Sequence, residues 1–252
     1  MKNIFLIFSL VLFFGFVIVI YKKNKNTRYP TVDICIPCIP RDVPKLPRLF
    51  NSIQHQTLYP NTIHIGLSET SDKQGKQLQH KLQSIVPSIP VYIHTTPQKG
   101  NASENRNHAS SFSQAKYVSF MDADDMMCPH RMEIIMRVFQ GHPSLKCVVH
   151  GYTSQSSSCQ PPFWSGTHRL GTHLYQDMKD RPKVFHVNEK VHHGHPTVRR
   201  DVLKSIQYNK EMERAQDSVF IRDILHKYGP NNDTILFIET PLTQYKPASQ
   251  QL

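Results

Sequence analysis

The stretch YVSFMDADDMMCP, Tyr117 to Pro129, sets a short run with the look of a buried strand directly before three carboxylates, Asp122, Asp124 and Asp125. Open α/β sheets take their ligands at the carboxyl ends of strands, so acids placed there read as a site before they read as a turn. Carboxylates at i and i+2 on such a loop can hold a hard divalent cation. The alternative is a solvated turn, and Asp125 reads best as a cap for the helix expected from Pro129 onward.

Upstream and downstream, strand-like and helix-like segments alternate. TVDICIP from Thr31, TIHIGLS from Thr62 and VYIH from Val91 read as strands, and so does KCVVHGY from Lys146. Between them, the spacing of Leu46, Leu49, Phe50 and Ile53 predicts a helix. KQGKQLQHKLQSI, ASENRNHASSFSQ and PHRMEIIMRVF predict three more. Later come a helix near Arg200–Ile206, the helix AQDSVFIRDILHKYG closed by Gly229, and a last apolar run TILFIETPL. This alternation predicts an α/β domain with a mostly parallel sheet flanked by helices.

The remainder is less regular. Residues 153–182 read as a long loop carrying Trp164 and Tyr175, whose rings could stack on a sugar or fill a satellite core. HHGHP, with His192, His193 and His195, reads as a turn, and lacks the helical spacing of a zinc site.

At its start the chain runs uncharged from Ile4 to Tyr21, the expected length of a membrane-spanning helix. The expected organisation is therefore an anchor at 1–21, a linker at 22–30 and one catalytic-sized domain at 31–252. Lys22, Lys23, Lys25 and Arg28 after the span favour a cytoplasmic domain, while sequons at Asn101 and Asn232 would permit a secretory lumen. Five cysteines, Cys35, Cys38, Cys128, Cys147 and Cys159, show no disulfide-like spacing and read as free thiols, as in a reducing compartment.

The charge balance needs explaining: 30 Lys and Arg stand against 19 Asp and Glu, a net charge of +11. An acidic cluster in a basic protein is reconciled if the acids bind a cation and cation and bases together bind an anion such as a diphosphate. The basic residues form no arginine-rich tract, so nucleic acid is not expected as a partner.

Taken in order, VDICIPCIPRDVPKLPRLFNSIQHQTLYP, GNASENRNHASSFSQAKYVSFMDADDMMCPHRME, GHPTVRRDVL and AQDSVFIRDI resemble the inverting, family-2 type of GT-A (Rossmann-like) glycosyltransferase. The resemblance implies a nucleotide-diphosphate-sugar donor, bound Mn²⁺ or Mg²⁺, and a glycan, lipid or protein acceptor offering a hydroxyl. It places Pro37, Cys38, Ser68, Glu69 and Arg106 around the nucleotide. Asp122 would contact the ribose side and the metal, and Asp124 the metal. His195 and Pro196, in a run that lines the acceptor side, would join Trp164 there. Asp217 would be the general base. Ser68, Cys38 and Gln216 depart from the family pattern, which motivates a catalytically inactive binding module as the alternative. A two-carboxylate glycosidase using Asp122 and Asp217 is a further one.

Overall fold

The computed structural model describes residues 29–154, 167–169, 191–231 and 233–245. Contacts divide the chain into Met1–Pro30 and Thr31–Leu252, and the fold below is that of the second unit. The expected span at 4–21, the linker up to residue 28, Cys159, Trp164 and Tyr175 lie outside the described residues. Among those described, no helix is long and apolar enough to cross a membrane.

The strands are β1 (Val32–Cys38), β2 (Thr62–Leu67), β3 (Val91–Thr95), β4 (Tyr117–Phe120), β5 (Met126–Met127), β6 (Cys147–Thr153), β7 (Thr167–Arg169), β8 (Val191–Arg199) and β9 (Ile235–Gln244). They form one sheet in the order β3-β2-β1-β4-β8-β6-β9-β5, with β7 paired to β9. The helices are α1 (Leu46–Gln54), α2 (Asp72–Gln83), α3 (Ala102–Ser111), α4 (Arg131–Gly141), α5 (Arg200–Leu203) and α6 (Gln216–Tyr228).

The β-branched runs become the centre of the sheet because both their faces are covered. All seven residues of β1 are buried, as a doubly covered parallel strand requires. On one face Cys35, Val118 and Phe120 join Ala109 of α3 and Phe220, Ile221, Ile224 and Leu225 of α6 in a single apolar cluster. On the other, the Tyr117 ring lies 4.0 Å from that of Phe139 in α4. Helix ends follow local chemistry. Ser71 with Gln74 and Asn101 with Glu104 form capping boxes at α2 and α3, and Gly229 ends α6 at φ 75°, where a side chain would be disfavoured.

The sheet is mixed, which corrects the expectation of a mostly parallel one. β1 runs parallel to β2 and β4, and β2 to β3. β8 then lies antiparallel between β4 and β6. HHGHP, expected as a turn, is therefore the first half of a nine-residue strand. A glycine and a proline beside three histidines mask the strand pattern, and pairing on both sides overrides that weak local preference.

One close approach fixes the distance between helix and sheet beside the carboxyl ends of β1 and β2. A Cβ built on Gly66 in β2 would sit 2.2 Å from the backbone oxygen of Asn105 in α3. Only the missing side chain lets α3 reach that depth. We expect Gly66→Ala to cost about 1–3 kcal/mol of stability, as overpacked substitutions do, read from urea denaturation. Native stability in that variant would show that the contact does not set the spacing.

Candidate active site at the carboxyl ends of the strands

β1, β2 and β4 end side by side, and the loops leaving them meet the reversed strand β8. Ser119 of β4 is in register with Thr197 of β8. Because β8 runs the other way, His195, two residues before Thr197, arrives where β4 releases Asp122. Its Nε2 lies 3.1 Å from Asp125 Oδ2 and 3.6 Å from Asp122 Oδ2, and its Nδ1 lies 3.2 Å from Thr243 Oγ1.

Asp125 is thus no helix cap. It is 1% exposed, while α4 begins at Arg131 with His130 at its N-cap and no side-chain cap bond. The loop folds back instead, with Asp125 N donating to Asp122 O at 3.3 Å. Burial raises the Asp125 pKa against the lowering effect of its hydrogen bond with His195. Burial works against a charged His195, yet its hydrogen bonds to Asp122 and Asp125 raise its pKa above the ordinary imidazole value. Both shifts favour a proton retained within the pair, which a metal ion bound there would have to displace.

Asp122 is the most accessible of these three, with its side chain 26% exposed. Arg106, on the buried side of α3, donates to Asp122 Oδ1 at 2.6 Å and lies 5.1 Å from the centre of the Tyr208 ring. Burial disfavours the Arg106 cation, but Asp122, Tyr208 and Asp217 together outweigh it and raise its pKa. Asp217, in the first turn of α6, therefore shares an electrostatic neighbourhood with Asp122. Ala215, just before that helix, has φ 56°, and non-glycine residues held there concentrate at functional sites.

Asp124 points elsewhere. Its carboxylate lies 3.4 Å from Lys45 Nζ, and its backbone oxygen accepts from Arg48. Lys45 and Arg48, seven and ten residues after the end of β1, were not singled out from sequence, although cations beside a strand-end loop are the groups a diphosphate needs.

The remaining expected donor residues form a polar knot beneath these loops. Asn105 Nδ2 donates to Cys38 O at 2.9 Å and to Ser68 Oγ at 3.0 Å. Burial, with Asp42 nearby, pushes the Cys38 thiol up to about 12, so it packs as a neutral group. Pro37 lies inside β1 in register with Gly66. Glu69 follows β2 with φ 57° and donates its N–H to Gln98 O at 3.1 Å. Pro196 lies in β8 between His195 and Thr197. Asn105 belongs to the NRN run in which only Arg106 was given a role, and Tyr208 was missed from sequence because nothing local marks it.

Asp122, Asp125 and His195 each offer one ligand atom, all within 4.8 Å of one another. Two carboxylate oxygens and an imidazole nitrogen fit a divalent ion such as Mn²⁺. Asp124, expected as a ligand, is not in that group of three.

Two further expectations change. Cys128 is disulfide-bonded, whereas Cys35, Cys38 and Cys147 are free, which corrects the reading of all five as thiols. Asn101 spends its side chain on the α3 cap and on Lys210 O, 2.7 Å from its Nδ2, so this sequon asparagine serves the fold.

Comparison with known proteins gives this geometry a family. The sequence model described as glycosyl transferase family 2 matches residues 33–206. The minor teichoic acid biosynthesis protein GgaB of Bacillus subtilis is 21% identical over 193 residues, 73% of this chain and 20% of that protein. An uncharacterized glycosyltransferase of Methanocaldococcus jannaschii is 22% identical over 180 residues, 70% of this chain and 59% of that one. The chain thus spans less than two thirds of either relative.

Among solved structures, S. aureus TarS in complex with UDP superimposes with a TM-score of 0.60 at 15% identity, over 84% of this chain and 59% of that one. Glucosyl-3-phosphoglycerate synthase from Mycobacterium tuberculosis, in complex with Mg²⁺ and UDP, gives 0.58 at 12% identity, over 86% and 72%. Such likenesses speak for the fold, a GT-A-like mixed sheet flanked by helices. The family match covers well over half of the sequence and includes the strand-end acids, and on it the chain belongs to glycosyl transferase family 2.

Proposed function

We propose that this chain transfers a sugar from a nucleotide-diphosphate donor to an acceptor hydroxyl, with inversion, in a reaction that needs a divalent metal. The observation that carries the reading is the convergence of Arg106, Asp122, Asp125 and His195 at the end of β4, with Asp217 close enough to influence Arg106. The solved relatives crystallised with UDP, or with UDP and Mg²⁺, make uridine the first nucleotide to test.

Asp122, Asp125 and His195 would hold the ion, with Asp124 close by, and the nitrogen ligand favours Mn²⁺ over Mg²⁺. When bound, such an ion neutralises charge on a departing diphosphate. Lys45 and Arg48 supply positive charge on the same rim. Arg106 fixes one oxygen of Asp122 and so orients the other. Asp217 takes the proton from the acceptor hydroxyl as that oxygen attacks the anomeric carbon, on the face opposite the leaving group. An anchored enzyme of this kind would find its acceptor at a membrane surface through residues 4–21.

The compartment follows from opposing signals. Lysines after residue 21 favour the cytoplasm, but the Cys128 disulfide belongs to an oxidising space. We give the disulfide more weight, because reduction would act on the bond itself whereas charge bias is a statistical tendency. In sealed vesicles the domain should resist added protease until detergent is present; digestion without detergent would place it on the cytoplasmic side.

Activity should depend on Mn²⁺, vanish with chelator and return when the ion is restored. Asp217→Asn should lower turnover by about 10²–10⁴-fold, the usual worth of a general base, with an unchanged melting temperature. A thermal-shift screen of nucleotide-sugars with Mn²⁺ should identify the donor. No shift with any of them would favour the inactive binding module.

Two neighbouring acids should separate by readout. Asp124→Asn removes the carboxylate that holds Lys45 beside the site, and should lower transfer while leaving the melting temperature near that of the parent. Asp125→Asn removes a ligand and the nearer of the two carboxylates on buried His195, so it should lower transfer and also cost stability, up to about 3–5 kcal/mol, visible in denaturant unfolding. Equal loss of activity with unchanged stability in both variants would refute this division.

A further inference from the structure

The opposite end of the same strands carries a second cavity that the transfer reaction does not use. It is an open cleft of about 370 Å³, a volume suited to a small ligand, at the amino ends of β1, β2 and β3. Asp33 forms part of its wall and precedes Cys38 by five residues, about 16 Å along β1. The cavity and the candidate donor site therefore lie at opposite ends of β1.

Its chemistry is that of a built site. Asp33 is 3% exposed, and its Oδ2 accepts from Ser113 Oγ at 2.7 Å and from Ala115 N at 3.2 Å, with His64 Nε2 at 3.6 Å. Burial raises its pKa, but the hydrogen bonds from His64, Ser113 and Ala115 outweigh that and lower it. It thus stands as a fixed acceptor. Asn61 and Gln114 line the same cavity. Their carbonyl oxygens already accept from Val32 N and Arg200 Nη1, which leaves their amide N–H groups as donors.

Two aromatic rings complete the wall. Tyr92 and Phe112 are 48% and 44% exposed, and each is backed by an imidazole. Tyr92 stacks on His64 at 5.8 Å and Phe112 on His94 at 3.6 Å. His64 and His94 in turn stack on one another. Each ring thus packs on one imidazole and keeps nearly half of its surface exposed. Ring faces carry negative charge density, and the C–H-rich face of a pyranose presents the complementary positive edge.

From this juxtaposition we propose that the cavity at the amino ends of β1–β3 is a second carbohydrate-binding site, which seats a sugar unit of a glycan on Tyr92 and Phe112 with its hydroxyls on Asp33, Asn61 and Gln114. An organic cation would satisfy the carboxylate and the rings, but it would face the two amide donors without an acceptor to offer them. A sugar, with hydroxyls that both donate and accept, matches the whole set. The site goes beyond the transfer reaction and does not depend on it.

The test is saturation-transfer NMR on the full chain with UDP and Mn²⁺ present. The probes are oligosaccharides of glucose, galactose, mannose and N-acetylhexosamines, with tetramethylammonium in parallel. At least one oligosaccharide should bind, and its affinity should fall tenfold or more in Tyr92→Ala and in Phe112→Ala. Both side chains are exposed, so both variants should keep the parent's melting temperature and its nucleotide-sugar turnover. No oligosaccharide binding, binding unchanged in both variants, or binding of tetramethylammonium alone would overturn the proposal. Failure of transfer in the parent protein would bear on the catalytic reading and leave this one standing.

Discussion

The site depends on one buried cation. Arg131, at the start of α4, is fully enclosed. It reaches Ser119 Oγ at 2.8 Å and Phe120 O at 3.3 Å on β4, His195 O at 3.1 Å on β8, and His150 Nε2 at 3.1 Å on β6. His150 Nδ1 lies 2.8 Å from Gly151 O, which assigns the proton to Nδ1 and leaves Nε2 to accept from Arg131. Burial pushes the guanidinium down to about 9, still high enough to keep it charged at neutral pH. A fork of five donors is the side chain suited to holding three strands at once. The strand that delivers the acids and the strand that delivers His195 are thereby tied to one rigid group.

Around that tie the site mixes rigidity with local strain. Asn105 joins Cys38 and Ser68 underneath, and Glu69 and Ala215 sit at positive φ. Backbone of that kind persists where surrounding structure over-determines it. Here the determinants are the strand ends and helix starts that frame the cleft, so packing holds Asp217 and the β2 loop in place.

Much of this was legible in the sequence. β1, β2, β4 and β6 announce themselves because buried strands need β-branched or aromatic runs, and α6 because its apolar spacing ends at a glycine. The acids after β4 were legible as a strand-end cluster, and Arg106 was expected near Asp122; His195, expected on the acceptor side, instead lies against Asp122 and Asp125. Less legible was anything set by long-range pairing. Asp125 looked like a cap because capping is a local rule, whereas its true partner lies seventy residues on and meets it only once β8 is reversed. β8 itself was hidden by Gly194 and Pro196, which local propensity penalises but two neighbouring strands accommodate. The Cys128 disulfide was likewise invisible to spacing, since chain proximity is not sequence proximity. Lys45 and Arg48 were overlooked because scattered cations look alike until the backbone brings them to one rim.

The reversed strand also limits how the protein can change. Side chains alternate across a sheet, so a one-residue slip turns each of them to the other face. His195 and Thr197 share a face of β8, Thr197 bonding Ser119 Oγ at 2.8 Å and His195 the acids, with Pro196 between them. A deletion at Pro196 would leave both residues present in the chain and yet send one of them to the wrong side. Along this strand, spacing is as much a part of the strand-end cluster as residue identity: substitutions can be explored one at a time, whereas a change of length would dismantle the cluster in a single step.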